Sequence, residues 1–392
     1  MIACNRLLDP FPTGHGTDEM AKSFDIVIVG GGIVGAACAW EAAQSGFSVA
    51  VIEADVVGGG ATAAGMGHIV VMDDSEPQFA LTRYSQQLWN ELRAELPADV
   101  EFENTGTIWV AADEEEMQAV RQKYAFYTSH GVPAQILDSY SLAEGEPHLR
   151  RGLAGGLLVP EDAVIYSPAA ARWLLGRAQH LEATLVRGRA KVLRGSSVLL
   201  NDGSSFNAGW TVNATGATAR LLTDCDVKKR KGHLVITDRR PGLVRHQLVE
   251  LGYLKSAHSL TTDSVAFNVQ PRKTGQLLIG SSRQYGAEDP AVEHRMIREM
   301  LARAVAYIPE LAQTSAIRCW TGFRAATADK LPLIGPSKND ERLWLATGHE
   351  GLGITTSLAT AKLLVDQIAG RRSAIPVEPY LPARSFREHE YA

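Results

Sequence analysis

The chain has 392 residues, with 39 Lys and Arg against 44 Asp and Glu, a net charge of −5 at pH 7 and a hydrophobic fraction of 45%. That length exceeds one ordinary core, so two domains are expected. Mild acidity with scattered basic residues excludes a nucleic-acid surface, and no apolar run approaches the ~20 residues of a membrane span. The four cysteines, Cys4, Cys38, Cys225 and Cys319, stand far apart without a CxxC pair. This argues against a zinc site or iron–sulfur cluster within the chain and for free thiols in a reducing cytoplasm.

Residues 1–22 lack the basic start and apolar core of a secretory signal. They read as a disordered extension, or as a mis-assigned start with Met20 the true initiator. A buried strand over 25–29 then runs into Gly30-Gly31-Gly32-Ile33-Val34-Gly35 and a helix, and a second strand over 48–52 ends in Glu53, 18 residues past Gly35. This is the βαβ dinucleotide fingerprint. Gly30 makes the turn, Gly32 lets the backbone approach a pyrophosphate, and Gly35 lets helix and strand pack closely. The phosphates sit at the helix N-terminus, where N–H groups and the helix dipole favour anions. Glu53, followed by Ala54, suits a ribose 2′-hydroxyl and would repel a 2′-phosphate. The fingerprint by itself does not separate NAD from FAD.

A small-residue loop, 58–66, follows. Helices are expected over 76–96, 114–131 and 138–144, with strand–turn–strand over 102–112 and a strand at 135–137. Ser167 reads as an N-cap with Pro168 at the first helical position of a helix to about 180. Short strands follow at 183–186, 190–194, 197–200 and 205–208, then another from 210 into the turn Ala214-Thr215-Gly216. The alternation over 229–318 suits an antiparallel sheet covered on one side, with a helix at 294–307. The chain returns to α/β character with a strand at 343–346 and a glycine-rich turn into a long helix ending near 370. The expected nucleotide domain is discontinuous, comprising 23–75, 150–222 and 320–372. Segments 76–149 and 223–319 would build a second domain, and 373–392 a tail.

Four further stretches resemble the D-amino-acid oxidase family of flavoproteins, in the branch containing glycine oxidase and the flavoprotein subunits of hydrogen cyanide synthase and D-hydroxyproline dehydrogenase. The resemblance covers roughly residues 24–372. The first stretch is Gly60-Ala61-Thr62-Ala63-Ala64-Gly65-Met66, similar to the loop that passes the flavin, with Thr62 at the pyrophosphate. The second is Val212-Asn213-Ala214-Thr215-Gly216, beside the adenosine half, with Val192 touching adenine through its backbone. The third is Gly322-Phe323-Arg324 with Asp329-Lys330-Leu331-Pro332-Leu333-Ile334-Gly335-Pro336. Here Arg324 is the implied clamp for a substrate carboxylate, although Phe323 and Ala325-Ala326 depart from the family pattern. The fourth is Gly348-His349-Glu350-Gly351-Leu352-Gly353-Ile354-Thr355, a helix start at the flavin pyrimidine edge. Glycine oxidases can carry an arginine near Gly351, and this chain has none.

The resemblance implies an α/β fold, with a Rossmann-like FAD-binding domain and an inserted α+β substrate domain on a mostly antiparallel sheet. It implies FAD as cofactor and hydride transfer from the Cα of a small amino or imino acid to flavin N5, without a protein base. Met66 would line the pocket, Tyr253 would be a second carboxylate donor, and His68 a structural histidine, a pocket residue or a covalent flavin anchor. His233 and His349 read as structural histidines. A ring such as cis-4-hydroxy-D-proline fits best within the branch, and the electron acceptor is open among oxygen, a quinone and partner subunits carrying iron–sulfur centres or another flavin. A glycine or sarcosine oxidase using oxygen, a non-catalytic flavin-binding subunit and an NAD-dependent dehydrogenase are the competing readings.

Overall fold

The computed structural model describes residues 22–252 and 263–384. Strand β1 (Lys22–Val29) lies between β2 (Val49–Glu53) and the strand Ser205–Asn213, parallel to both. Ile26, Val27 and Ile28 are each fully buried. A strand covered on both faces explains the unbroken apolar run in the sequence. Thr184–Arg187 extends the sheet beyond β2, and Asp340–Thr347 extends it in parallel beyond Ser205–Asn213. Leu333–Ser337 closes that edge antiparallel. Helix α1 (Ile33–Gln44) packs against the helices Ser167–His180 and Gly353–Ile368, and its buried alanines allow the close approach.

The second sheet has eight strands, in the order Ala316–Ala326, Lys228–Arg239, Gln276–Tyr285, Ser264–Pro271, Gln247–Glu250, Thr107–Ala111, Gly155–Val159 and Gln135–Asp138. Every pairing is antiparallel except that of Gln247–Glu250 with Thr107–Ala111. The helix His294–Tyr307 covers one face through Met300, Ala304 and Tyr307, with the Tyr307 ring stacked on Phe267 at 4.2 Å. Met66 from the small-residue loop packs on the other face, against Leu234 and Leu278. Period-2 alternation therefore separates a helix-covered side from a site-facing side.

Several expectations shift. Gly155–Val159 and Ala316–Ala326 join the second sheet, although 150–222 and 320–372 were expected in the nucleotide half. The 102–112 stretch forms one strand, Thr107–Ala111. The strands expected at 205–208 and from 210 are one continuous strand, because Gly209 lets the chain pass close to the Asp25 backbone. Ser167 is the first residue of its helix, with Tyr166 at the N-cap. Its hydroxyl donates instead to the Thr62 carbonyl at 2.8 Å and so pins the small-residue loop.

A buried acid sits between the strand Gly155–Val159 and the short strand Ala163–Val164. Asp162 is 1% exposed, and its Oδ1 accepts from Val71 N–H and the Gln86 amide. Its Oδ2 has no hydrogen-bond partner. Burial pushes its pKa up to about 7, against the hydrogen bonds from Val71 and Gln86 and the charge of Lys123. A raised carboxyl pKa means that the folded protein holds the proton more tightly than the unfolded chain. The associated stability is complete below about pH 4 and is lost as pH rises through about 7. Between pH 5 and pH 8 this group should remove roughly 2–3 kcal/mol. Asp162→Asn, which stays neutral, should abolish that part of the pH slope in urea melts; an unchanged slope would place the titration elsewhere.

Candidate functional site

The turn after β1 is built from contacts that side chains would forbid. Gly30 takes φ +110°, and a Cβ there would meet the Ala214 carbonyl oxygen at 2.6 Å. A Cβ on Gly35 would overlap the Gly30 carbonyl oxygen. Gly32 is the N-cap of α1, offers no capping side chain, and has no acidic residue in the turn that follows. The Ile33 N–H is met by Thr62 Oγ1 at 3.0 Å, and Val34 packs beside Gly353. Glu53 turns its carboxylate onto this loop, with Oε2 accepting from Gly31 N–H at 2.6 Å and Oε1 from Asp55 N–H at 2.8 Å. Each oxygen retains acceptor capacity suited to a ribose hydroxyl. Ala54, next along, is exposed.

The second glycine-rich segment meets the first across the small-residue loop. Gly65 lies against Ile354, where a Cβ would stand 2.7 Å from its Cδ1, and Gly322 lies directly on Ala64; Ala63, between Thr62 and Ala64, is exposed. The helix Gly353–Ile368 starts at N-cap Leu352 with no capping side chain and no acid in its first turn. Thr355 Oγ1 donates to the His68 carbonyl at 2.8 Å, tying this helix to the strand that follows the loop. Ala214 is buried, Thr215 is fixed by Asn213, and the Gly216 carbonyl accepts from Thr347. Two helix N-termini whose own N-cap residues supply no side-chain cap, beside glycine floors and an acid at the end of β2, fit FAD, whose pyrophosphate and ring edge require backbone N–H donors at close range. Val192 is 37% exposed on Ala190–Arg194, and Gly188, two residues before that strand, donates its N–H to the Glu53 carbonyl at 2.9 Å.

Arg324 lies on the edge strand Ala316–Ala326, directly opposite Arg230. Its guanidinium passes over Gly232, where a Cβ would overlap it, and Nη1 donates to the Ser282 carbonyl at 3.0 Å. Gly351 flanks it, with a Cβ there 3.5 Å from Nε. Arg230 is 4% exposed, ion-paired with Glu350 and bonded to Tyr285 Oη at 2.8 Å. Further along the same sheet face, Met66, Leu234 and Leu278 pack together as a buried apolar cluster, with Ile236 and Trp320 against it. Gln270 Nε2 holds the Met66 carbonyl at 2.6 Å.

The Nε2 of half-buried His68 is itself buried and unpartnered, and burial, aided by Arg272, pulls the ring's pKa down to about 4, so it is neutral at physiological pH. His349 is likewise pulled down to about 3 by burial and bonds Thr360. Burial and Lys231 also lower the pKa of His233, whose Nε2 accepts from Glu293 N–H, so Nδ1 carries the proton toward Ser282 Oγ. Tyr253 lies outside the described residues. Sequence reasoning missed Arg230, Glu350, Trp320, Asn268 and Gln270. The signal was present in the alternation Arg230-x-Gly232-x-Leu234 and Asn268-x-Gln270, which marks one sheet face.

A family model described as FAD dependent oxidoreductase (DAO) matches residues 25–367. Glycine oxidase of Geobacillus kaustophilus is 30% identical, spanning 92% of this chain and 97% of that protein. Hydrogen cyanide synthase subunit HcnC of Pseudomonas aeruginosa is 28% identical, spanning 93% and 97%. The crystal structure of glycine oxidase from Geobacillus kaustophilus superposes with a TM-score of 0.84 at 27% identity, covering 93% of this chain and 100% of that one. L-proline dehydrogenase from P. horikoshii shares the fold, with a TM-score of 0.81 at 23% identity over 93% and 98%. Among the described residues, no helix is long and apolar enough to cross a membrane. The chain belongs to the FAD dependent oxidoreductase family, as a flavoenzyme that acts on CH–NH or CH–NH2 donors.

Proposed function

We propose that the chain oxidises a D-proline-like imino acid, best matched by cis-4-hydroxy-D-proline, to the corresponding imine. It would work in the cytoplasm as the flavoprotein subunit of a hetero-oligomeric dehydrogenase. The apolar cluster of Met66, Leu234, Leu278, Ile236 and Trp320 on the sheet face that carries Arg324 supports this reading. A saturated ring lying against that cluster meets apolar surface, whereas glycine, with no side chain, leaves it uncovered. The Arg230 charge is matched by Glu350, which suits one carboxylate rather than two. The printed name of the relative HcnC, a synthase subunit, supports assembly with partners. The described cysteines Cys38, Cys225 and Cys319 are free thiols, in keeping with a reducing compartment.

In this reading Arg324 holds the substrate carboxylate by two parallel charge-assisted bonds, with Tyr253 as a second donor. Met66 and the cluster exclude water and turn Cα toward the cofactor. Bound FAD supplies the two-electron acceptor for the hydrogen leaving Cα. The cofactor is held by Gly30, Gly32, Ile33, Val34, Gly35, Glu53, Ala54, Thr62, Ala63, Gly65, Ala214, Thr215, Gly216, Gly322 and residues Gly351 to Thr355, with Val192 contributing backbone contact. His68, neutral and half-buried, shapes the pocket wall. The substrate amine, bound neutral, uses its own lone pair to assist, so no side chain needs to accept the Cα proton.

The similarity to glycine oxidase favours a second reading, an oxidase that reduces oxygen directly. An anaerobic visible spectrum separates them, taken with D- and L-proline, the hydroxyproline isomers, glycine and sarcosine. Bleaching by a proline-type ring, with no peroxide when air is admitted, is expected. Bleaching by glycine with peroxide release would replace the first reading by the second. A protein bleached by none of these, alone or with its partner subunits, would sink both.

A further inference from the structure

Three acceptor atoms on the site-facing wall are buried without hydrogen-bond partners: Asn268 Oδ1, Gln270 Oε1 and Ser281 Oγ. Their residues are 6%, 0% and 5% exposed. A buried polar atom left unmet is costly, and a cluster of them at a candidate pocket marks where a ligand supplies the missing donor. Asn268 and Gln270 alternate along Ser264–Pro271 and so share a face, opposite Gly280 and Leu278 respectively. That face is the one toward the small-residue loop, since a Cβ on Gly280 would stand 2.8 Å from Met66 Sδ. Gln270 already holds the Met66 carbonyl, which gives its amide a structural task. Asn268 has no such task for its oxygen.

Position decides which part of a substrate Asn268 meets. The Arg324 guanidinium reaches the Ser282 carbonyl, two residues along the strand from Gly280. Two residues along one strand and one strand across place Asn268 roughly 8 Å from that point, backbone to backbone. A ring held at its carboxylate by Arg324 and packed on Met66 therefore turns its far edge toward Asn268. We propose that Asn268 is a specificity-determining residue, whose carboxamide oxygen accepts a hydrogen bond from a hydroxyl on the substrate ring distal to the carboxylate. The proposal rests on the imino-acid reading above and deepens it. An unsubstituted ring covers the apolar cluster but leaves Oδ1 unmet, and a site built around a substrate hydroxyl discriminates against the analogue lacking it.

The test uses the FAD-loaded enzyme, anaerobic flavin bleaching, and two probes, cis-4-hydroxy-D-proline and D-proline. The wild type should prefer the hydroxylated ring by about 10–10²-fold in the second-order bleaching rate. Asn268→Leu, which keeps the shape and removes the acceptor, should bring that ratio to within about 3-fold of unity. Asn268→Asp, which retains an acceptor oxygen, should restore most of the preference. Loss of a merely structural residue would slow both probes together and leave the ratio in place, and that outcome overturns the proposal. A wild type bleached by both probes with no preference overturns it as well. A wild type bleached by neither probe but by glycine shows that the imino-acid reading itself has failed, and the role of Asn268 falls with it.

Discussion

Arg324→Leu should leave the protein yellow and folded while lowering kcat/KM by about 10²–10³-fold, with most of the loss in KM. The guanidinium lies over Gly232 against the Ser282 carbonyl, away from the fingerprint turn, so FAD retention does not depend on it. Removing one partner of a hydrogen-bonded charge pair costs about 3–4 kcal/mol, and each 1.4 kcal/mol is tenfold. Arg324→Lys should recover only part, because an ammonium cannot present two parallel donors to a planar carboxylate. Steady-state kinetics alongside the flavin-to-protein absorbance ratio checks both points. A normal KM in Arg324→Leu would remove the clamp from this residue.

Gly32→Ala should give a folded, colourless protein. A Cβ on Gly32 meets nothing closer than Thr62 Oγ1 at 3.4 Å, and the residue sits at φ −68°, which any amino acid adopts. The apoprotein therefore pays no more than about 1 kcal/mol for the changed cap. The methyl group instead stands where the pyrophosphate backbone must come close, so FAD affinity should fall by more than about 10²-fold. Gly35→Ala makes the contrast, since its methyl overlaps the Gly30 carbonyl and disrupts the turn itself. Loss of flavin with an unchanged apoprotein melting temperature in Gly32→Ala, and loss of the folded state in Gly35→Ala, are the expected pair. Full flavin occupancy in Gly32→Ala would put the phosphates elsewhere.

The nucleotide half was legible because its signals are local. The run into Gly30, the spacing to Glu53 and the start of the last helix are each written in a few dozen adjacent residues. The substrate side was less legible because its residues meet through pairing between distant strands. Arg230 faces Arg324 across 94 positions of sequence, a juxtaposition that no periodicity encodes. Asn268 looks like any polar residue on an alternating strand until Gly280 and Met66 are placed beside it. Ser167 misled for a related reason, since its hydroxyl has a distant partner in the Thr62 carbonyl that outcompetes the local cap. The edge of the first sheet, Leu333–Ser337, was absorbed into a motif because Pro332 and Pro336 mask its strand character, which only an edge position tolerates.

Helix α1 is made near the start of the chain and is buried almost all round, yet the helix that covers it, Gly353–Ile368, is made near the end. On a ribosome adding about 5–20 residues per second, its apolar surface waits roughly 15–60 s for that cover. The strand beside β1, Ser205–Asn213, arrives only midway through synthesis. The fingerprint turn is therefore translated well before the helix that completes its packing. Arrival of Gly353–Ile368, rather than emergence of the glycine motif, is the step that completes the surroundings of the cofactor turn.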